Sequence, residues 1–468
     1  MKLYPYQWEG AEWLASRERA LLADEPGLGK TAQIIVGADL ARAKQILVVP
    51  PASVRSVWDR EFKIFSMWGH DVTIFDSVEK FKAGPQRGVN VINYDLLTRG
   101  FNEKNFGFNQ YMKKWLAPWW DLIAADEGHM MKERESLRTR AVLENRGLHG
   151  RTDRLWIATG TPMPNHPGEL WTILAAMGAT DLSYTEFINK YCTFGDFGYS
   201  KNQPKGANPA TEKELNQLLR SVMKRRYKAL VMPQLPPIRV DDFPLPETKI
   251  KIEQFFEDAL GDKSTTMRKI KEQEEFVTEV WQRAIGTGGK MTMMDMINVL
   301  ESVGPSVALY RRWLGAVKAS AFLPIVEDEL KNKGVDKIVI FAHHKQVIQF
   351  LKLRLKEYNP QVIDGSSNSA GRQRAVEVFQ SDPTARVFIG NTLAAGTGIT
   401  LTAAHEVVVL EPDWVPANNA QAIMRCHRIG QKNAVRARFV RLADTLDDYI
   451  SDTLARKTRE IVRIVDTP

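Results

Sequence analysis

Short apolar runs that stop abruptly in polar or glycine-rich turns constrain this chain more than any other feature. They occur at QILVV (45–49), VNVIN (89–93), LIAA (122–125) and LWIAT (155–159). Each has the length and β-branched content of a strand buried on both faces. Helical stretches such as TAQIIVGADLARA (31–43) lie between them. This alternation predicts an α/β fold with a parallel sheet. The pattern lapses near residue 175 and resumes with IVIF (338–341), a helix over 345–358, VFIG (387–390) and VVVL (407–410). Between the blocks lie a glycine-bearing polar loop (GDFGYSKNQPKGANP), a basic helix over 211–230 and a proline cluster (VMPQLPPIRVDDFPLPE) that reads as a linker or crossing segment. Residues 249–333 are charged and helical in character, broken at GTGG (286–289). Two α/β blocks therefore flank a helical middle, with no internal repeat.

At 468 residues the chain has room for roughly three domains. Apolar residues at 44% and charged residues at 26% match a soluble globular protein. The net charge of +8 permits a polyanionic partner without demanding one. Cys192 and Cys426 are too few for a disulfide framework or a cysteine-rich zinc site. The opening MKLYPYQWEG lacks the apolar core of a signal peptide, and no run approaches the length of a membrane span. A cytoplasmic protein is expected, or a nuclear one if the source is eukaryotic.

DEPGLGKT (24–31) sits between an apolar segment and a helix. A glycine loop in that position can aim backbone N–H groups at phosphate oxygens, and the helix adds its positive dipole end. Gly27 and Gly29 would shape the loop, Lys30 would reach the β and γ phosphates, and the Thr31 hydroxyl would hold Mg²⁺. The generic phosphate-loop pattern wants glycine where Asp24 stands, so a plain glycine turn capping a helix stays open on this octamer alone. DEGH (126–129) follows the LIAA run. An acidic pair at a strand's C-terminal end is where a metal ligand, Asp126, and a water-orienting base, Glu127, belong. The two segments together favour a nucleoside triphosphatase. TGTP (159–162) ends the next strand; Thr159, Gly160 and Thr161 suit relaying the state of a γ-phosphate, although for this motif taken alone a plain strand-to-helix turn is the better explanation.

In the second block, QAIMRCHRIGQ spaces Gln421, Arg425 and Arg428 by four and three, which predicts one shared helix face. Two arginines so placed could neutralise a transferring phosphoryl group, an effect worth about 10³ to 10⁵ in rate; a solvated surface helix is the alternative. AAGTGITL (394–401) is a glycine-rich turn suited to phosphate or nucleic-acid contact.

Taken in order, these segments resemble the Swi/Snf family of superfamily 2 helicase-like ATPases. LYPYQWEGAEWL resembles its Q-motif region, where Gln7 would contact adenine. DEPGLGKT resembles motif I, in which Asp commonly stands first, with Pro26 in place of the usual Met. ILVVPPASVRSVWDREF resembles motif Ia, VINYDLL motif Ib, DEGH motif II and LWIATGTPMPNHPGELW motif III. MKRRYKALVMPQLPP (223–237) resembles the Arg-Arg segment after the first lobe, IVIFAHHKQVIQFL motif IV, and FIGNTLAAGTGITL through RCHRIGQ motifs V and VI. IDGSSNSAGRQRAVEVFQ and GITLTAAHEVVVLEPDW look most like the HARP-like annealing-helicase branch.

The resemblance implies two RecA-like lobes with parallel sheets flanking an ATP cleft, plus helical protrusion segments. Lobe 1 would span 1–236 with a protrusion near 180–236, a helical linker or second protrusion 237–333, and lobe 2 334–468. It implies ATP and Mg²⁺ as cofactors and Gln421 as a further nucleotide contact. It also implies a monomeric motor that translocates on double-stranded or branched DNA and remodels DNA or protein–DNA complexes. Strand separation, strand annealing, and a nucleic-acid or RNA polymerase binding module with secondary ATPase are the alternatives. Nearly all of the chain then reads as motor, in keeping with a bacterial or phage source. Backbone grip needs cations; Arg225, Arg226, Thr397 and Trp414 are the DNA-contact expectations, with Lys224, Arg311 and Arg312 as further basic candidates. His343 and His344 have no cysteine nearby and make no convincing metal site.

Overall fold

The structure is a computed structural model that describes residues 3–102, 107–194, 204–245, 305–332, 334–395, 398–443 and 445–466. Unit 1 comprises Met1–Leu235, Val415–Ala417 and Arg456–Pro468; unit 2 comprises Pro236–Trp414 and Asn418–Ala455.

Unit 1 is built on strands β1 (Arg19–Leu22), β2 (Ile46–Val49), β3 (Val72–Phe75), β4 (Val89–Ile92), β5 (Leu122–Asp126) and β6 (Leu155–Ala158). A short antiparallel pair, β7 (Cys192–Phe194) and β8 (Pro204–Ala207), stands apart, and β9 (Met223–Lys224) closes one edge. The order β3-β4-β2-β5-β6-β1-β9 is parallel throughout. The apolar runs alternate between two cores, as period two requires. Leu21, Leu47, Ile123 and Ile157 enter one cluster, while Leu22, Val48, Ala124 and Trp156 enter the other. Helices α1 (Pro5–Ala15), α2 (Lys30–Leu40) and α3 (Arg55–Phe65) are the ones that shape the site.

Unit 2 carries β10 (Ile238–Leu245), β11 (Ile338–Ala342), β12 (Gln361–Ile363), β13 (Val387–Asn391), β14 (Glu406–Val409) and β15 (Val435–Leu442). Their order is β10-β15-β14-β11-β13-β12, again all parallel. The same alternation holds: Ile340 and Val408 pack with the helix Pro305–Asn332, and Phe341 and Val409 pack on the opposite face. Two parallel-sheet α/β lobes are thus present.

Several boundaries differ from those read off the sequence. The basic helix ends at Val222, and Met223 and Lys224 form an edge strand beside β1. The stretch read as linker from 237 opens instead with β10. Its sequence IRVDDFPL has no buried-strand signature because cross-strand ion pairs hold it. Asp241 meets Arg436 at 2.9 Å and Asp242 meets Arg441 at 3.0 Å. Pro244 is tolerated because β10 is an edge. Residues 456–468, assigned by sequence to the second lobe, group with unit 1, where Ile464 and Val465 are buried in its core. The GTGG break at 286–289 lies outside the described residues. Among the described residues no helix is long and apolar enough to cross a membrane.

Candidate nucleotide site

Sheet order brings three loops of unit 1 together. β1 and β6 are neighbours, as are β6 and β5, and Leu22 and Asp126 both pair with Ala158. The three strands therefore end at one level, and DEPGLGKT, TGTP and DEGH leave it side by side. The carboxyl edge of a parallel sheet is the usual ligand position in such folds.

The loop after β1 needs its glycines. Gly27 and Gly29 have φ of 92° and 75°, a region costly for other residues. A Cβ on Gly29 would also run into the Gln7 amide. α2 starts at Lys30, so its first N–H groups face the loop. Thr31 follows in the same turn. Lys30 Nζ donates to the carbonyl of Asp24 at 2.8 Å. Burial pushes its pKa down, while the charges of Glu127, Asp24 and Asp126 oppose that shift. Gln7 is itself buried and packs on the loop. Its Oε1 accepts from the Tyr4 N–H at 2.9 Å, and its Nε2 donates to the Leu28 carbonyl at 3.2 Å.

Asp126 ends β5 with each carboxylate oxygen already engaged. Trp58 Nε1 donates to Oδ2 at 3.1 Å and the Glu127 N–H donates to Oδ1 at 3.0 Å. Tyr94 Oη donates to the Asp126 carbonyl at 2.7 Å. Burial first, then the Glu127 carboxylate, raises the Asp126 pKa to about 6, with Trp58 and Lys30 pulling the other way. Glu127 occupies the left-handed region at φ 51°, a strained backbone for a non-glycine residue.

Nothing in the sequence alone gives His129 a role. Its Nδ1 lies 3.4 Å from Glu127 Oε2, 3.1 Å from Thr159 Oγ1 and 3.3 Å from Thr161 Oγ1. One imidazole thus joins the acidic pair to the TGTP turn. Gly160 is required there, since a Cβ would approach the Pro26 ring to 2.6 Å.

Arg225 and Arg226, expected to grip DNA, are turned inward. Arg225 Nη1 donates to the carbonyls of Ala23, at 2.7 Å, and Gly160, at 3.1 Å. The Arg226 side chain is 11% exposed and binds the Asp24 carboxylate through Nε and Nη2. The reason is local: β9 runs beside β1, which sets this segment against the phosphate loop rather than in solvent.

The remaining candidates lie in unit 2. Gln421 is buried on the helix Pro416–Ile423. Arg425 and Arg428 lie beyond that helix's last residue, so the expected shared face is not formed. Past the helix the backbone bonds are mixed: Arg425 N–H to Ala422 and Cys426 N–H to Ile423 span three residues, while Met424 N–H to Ala420 and His427 N–H to Ile423 span four. The buried Gln431 amide also holds the carbonyls of Ala404, at 2.8 Å, and Cys426, at 3.1 Å. Arg428 Nη1 donates to the Ile399 carbonyl at 2.9 Å. Trp414 is half-buried, with the Arg311 guanidinium 5.2 Å from its ring centre. Thr397 lies outside the described residues.

These residues fit a magnesium nucleotide. Mg²⁺ is commonly held by one or two carboxylates plus substrate phosphates rather than by an all-protein cage. Asp126 and Thr31 would supply the protein ligands.

Comparison with known proteins places this geometry in a family. The SNF2-related domain matches residues 6–300 and the helicase conserved C-terminal domain matches residues 321–430. The chain is 29% identical over 98% of its length to "DNA annealing helicase and endonuclease ZRANB3" of Homo sapiens, covering 40% of that protein. It is 28% identical over 98% of its length to "SWI/SNF-related matrix-associated actin-dependent regulator of chromatin subfamily A-like protein 1" of Xenopus tropicalis, covering 44% of it. The chain thus spans less than half the length of these curated relatives. A structure titled "Sulfolobus solfataricus SWI2/SNF2 ATPase core in complex with dsDNA" matches all of this chain and 94% of its own, at 21% identity and a TM-score of 0.43. The chain belongs to the SNF2-related family of helicase-like ATPases.

Proposed function

We propose that this chain is a DNA-stimulated ATPase that translocates on double-stranded or branched DNA and remodels DNA or the complexes on it. The observation that carries the reading is the convergence of Lys30, Asp126, Glu127 and the His129–Thr159 contact at the carboxyl edge of one parallel sheet. Bound ATP would supply the phosphoanhydride bond and Mg²⁺ the charge neutralisation at its phosphates. Gly27, Gly29 and the first turn of α2 would present N–H groups to the phosphates, and Lys30 would leave the Asp24 carbonyl for them. Asp126 and Thr31 would hold Mg²⁺, and Glu127 would orient the attacking water. His129 would carry a change at Glu127 to Thr159 and Thr161. Gln7, already bonded to the loop, would pair with the base. Arg425, Arg428 and Gln421 are assigned the charge-neutralising and nucleotide-contacting roles that the family resemblance implies.

DNA as substrate is supported by the relatives' names and by the basic net charge. Those names also favour a second reading, strand annealing. ATPase rate measured against single-stranded, duplex, forked and four-way DNA at stated salt tests the first; equal rates with and without DNA would overturn it. Annealing of complementary strands, with and without ATP, tests the second.

A further inference from the structure

The generic phosphate-loop pattern places glycine where this chain has Asp24. The structure supplies a reason for the carboxylate. Asp24 is wholly buried, and a buried charge persists only when paired and hydrogen-bonded. Arg226 meets it in bidentate fashion, Nε to Oδ1 at 3.1 Å and Nη2 to Oδ2 at 2.8 Å, from 202 residues downstream. Gln33, in the first turn of α2, donates to Oδ2 at 3.0 Å and accepts from Arg226 Nη2 at 2.5 Å. Arg226 Nη1 donates to the Tyr6 carbonyl on α1, and the guanidinium lies 5.5 Å from the Tyr6 ring centre.

Backbone bonds run in parallel with these side chains. The Ala23 N–H donates to the Lys224 carbonyl at 2.8 Å, and the Glu25 N–H donates to the Arg226 carbonyl at 3.1 Å. The Lys228 N–H donates to Glu25 Oε2 at 2.6 Å. The same Asp24 whose side chain is clamped offers its carbonyl to Lys30. α1 makes room for the cluster with Gly10, where a Cβ would collide with Gln33 Oε1 and Arg226 Nη2.

We infer that Asp24, Arg226 and Gln33 form a lock that presets the phosphate loop, with Arg226 a positioning residue for nucleotide binding. The inference rests on the nucleotide site proposed above. A loop already fixed by α1, α2, β9 and the segment that follows β9 meets the phosphates without first having to be ordered, which favours binding. Releasing Asp24 leaves a buried carboxylate to be rehydrated or protonated, and either moves the carbonyl that holds Lys30.

The test uses the full chain without DNA. Dissociation constants for a fluorescent ADP are measured for the wild type, Asp24→Asn, Arg226→Gln, the double variant and the milder Arg226→Lys, with thermal melting and ATP kinetics alongside. Each single variant should weaken ADP binding at least tenfold. The double variant should be no weaker than the worse single one, because partners in one contact are not additive. The KM for ATP should rise more than kcat falls. Folded variants that bind ADP within twofold of wild type, or losses that simply add, would overturn the lock. If Arg226→Gln does not fold, Arg226→Lys decides on the same criterion, since it keeps the charge and loses the fork. A wild-type chain that binds no ADP would instead sink the nucleotide site itself.

Discussion

The indole of Trp58 donates to the carboxylate of Asp126 across 3.1 Å, joining α3 to the tip of β5. Trp58 is 1% exposed, so this N–H has no water to turn to. With the Glu127 N–H on the other oxygen, the carboxylate is held from both sides. Outer contacts of this kind commonly orient a metal ligand and tune the metal's affinity, the role proposed above for Asp126.

Trp58→Phe keeps most of the ring and removes that donor. A bond to a charged group is worth about 1.5–3 kcal/mol, so stability should fall by roughly that amount. The Mg²⁺ concentration for half-maximal ATPase should rise several-fold. An unchanged Mg²⁺ requirement would mean that the indole only fills space.

The raised pKa of Asp126 has a testable sign. In the folded chain the carboxyl holds its proton more tightly than in the unfolded chain. Its contribution to stability is therefore present at low pH and is lost as pH rises through about 6. Asp126→Asn should abolish ATPase activity and flatten the fall of stability as pH rises through about 6, since it removes the titrating group. For the wild type, protons compete with the cation, so more Mg²⁺ should be needed at pH 5.5 than at pH 7.5. Thermal melting and Mg²⁺ titrations at both pH values check these outcomes.

Lys30→Ala, Glu127→Gln and Arg428→Ala should each lower ATPase turnover, by at least about 10²-fold, the scale of losing one preorganised charge-stabilising group. Circular dichroism should show the fold intact. Normal turnover in Glu127→Gln would remove its role in orienting water.

Unit 2 is pinned by a buried charge cluster. Arg438 is wholly buried, meets both Glu329 oxygens at 2.6 and 2.8 Å, and lies 3.3 Å from Glu406. Arg438→Ala strands buried carboxylate charge and should cost about 3–5 kcal/mol. Arg438→Met refills the volume but strands the same carboxylates, so it should cost nearly as much. Denaturant unfolding of both variants checks this; a much smaller loss for Arg438→Met would mean that the charge is incidental.

Much of this protein was legible along the chain. The strands at 46–49, 122–126, 338–342 and 387–391 announce themselves because a strand buried on both faces is a continuous apolar run. The glycines of the phosphate loop follow from backbone conformations that other residues adopt at a cost. The Asp126–Glu127 pair follows from its place at a strand end. By contrast, β10 was hidden because an edge strand held by ion pairs to β15 carries no apolar alternation. The helical spacing of Arg425 and Arg428 misled because Gln431, six residues past Arg425, draws the chain into a turn.

By itself the amino-acid order determined the α/β class, the family and the loops that carry the chemistry, since these depend on periodicity and local conformational demand. Only the tertiary structure decided the partners of the buried charges. Nothing local marks Arg226 as the counterion of Asp24, Trp58 as the donor to Asp126, or Ile464 and Val465 as belonging to the first core. A charge in an apolar interior must be answered by whichever group the folded chain brings within about 3 Å, and sheet order, not sequence distance, makes that choice.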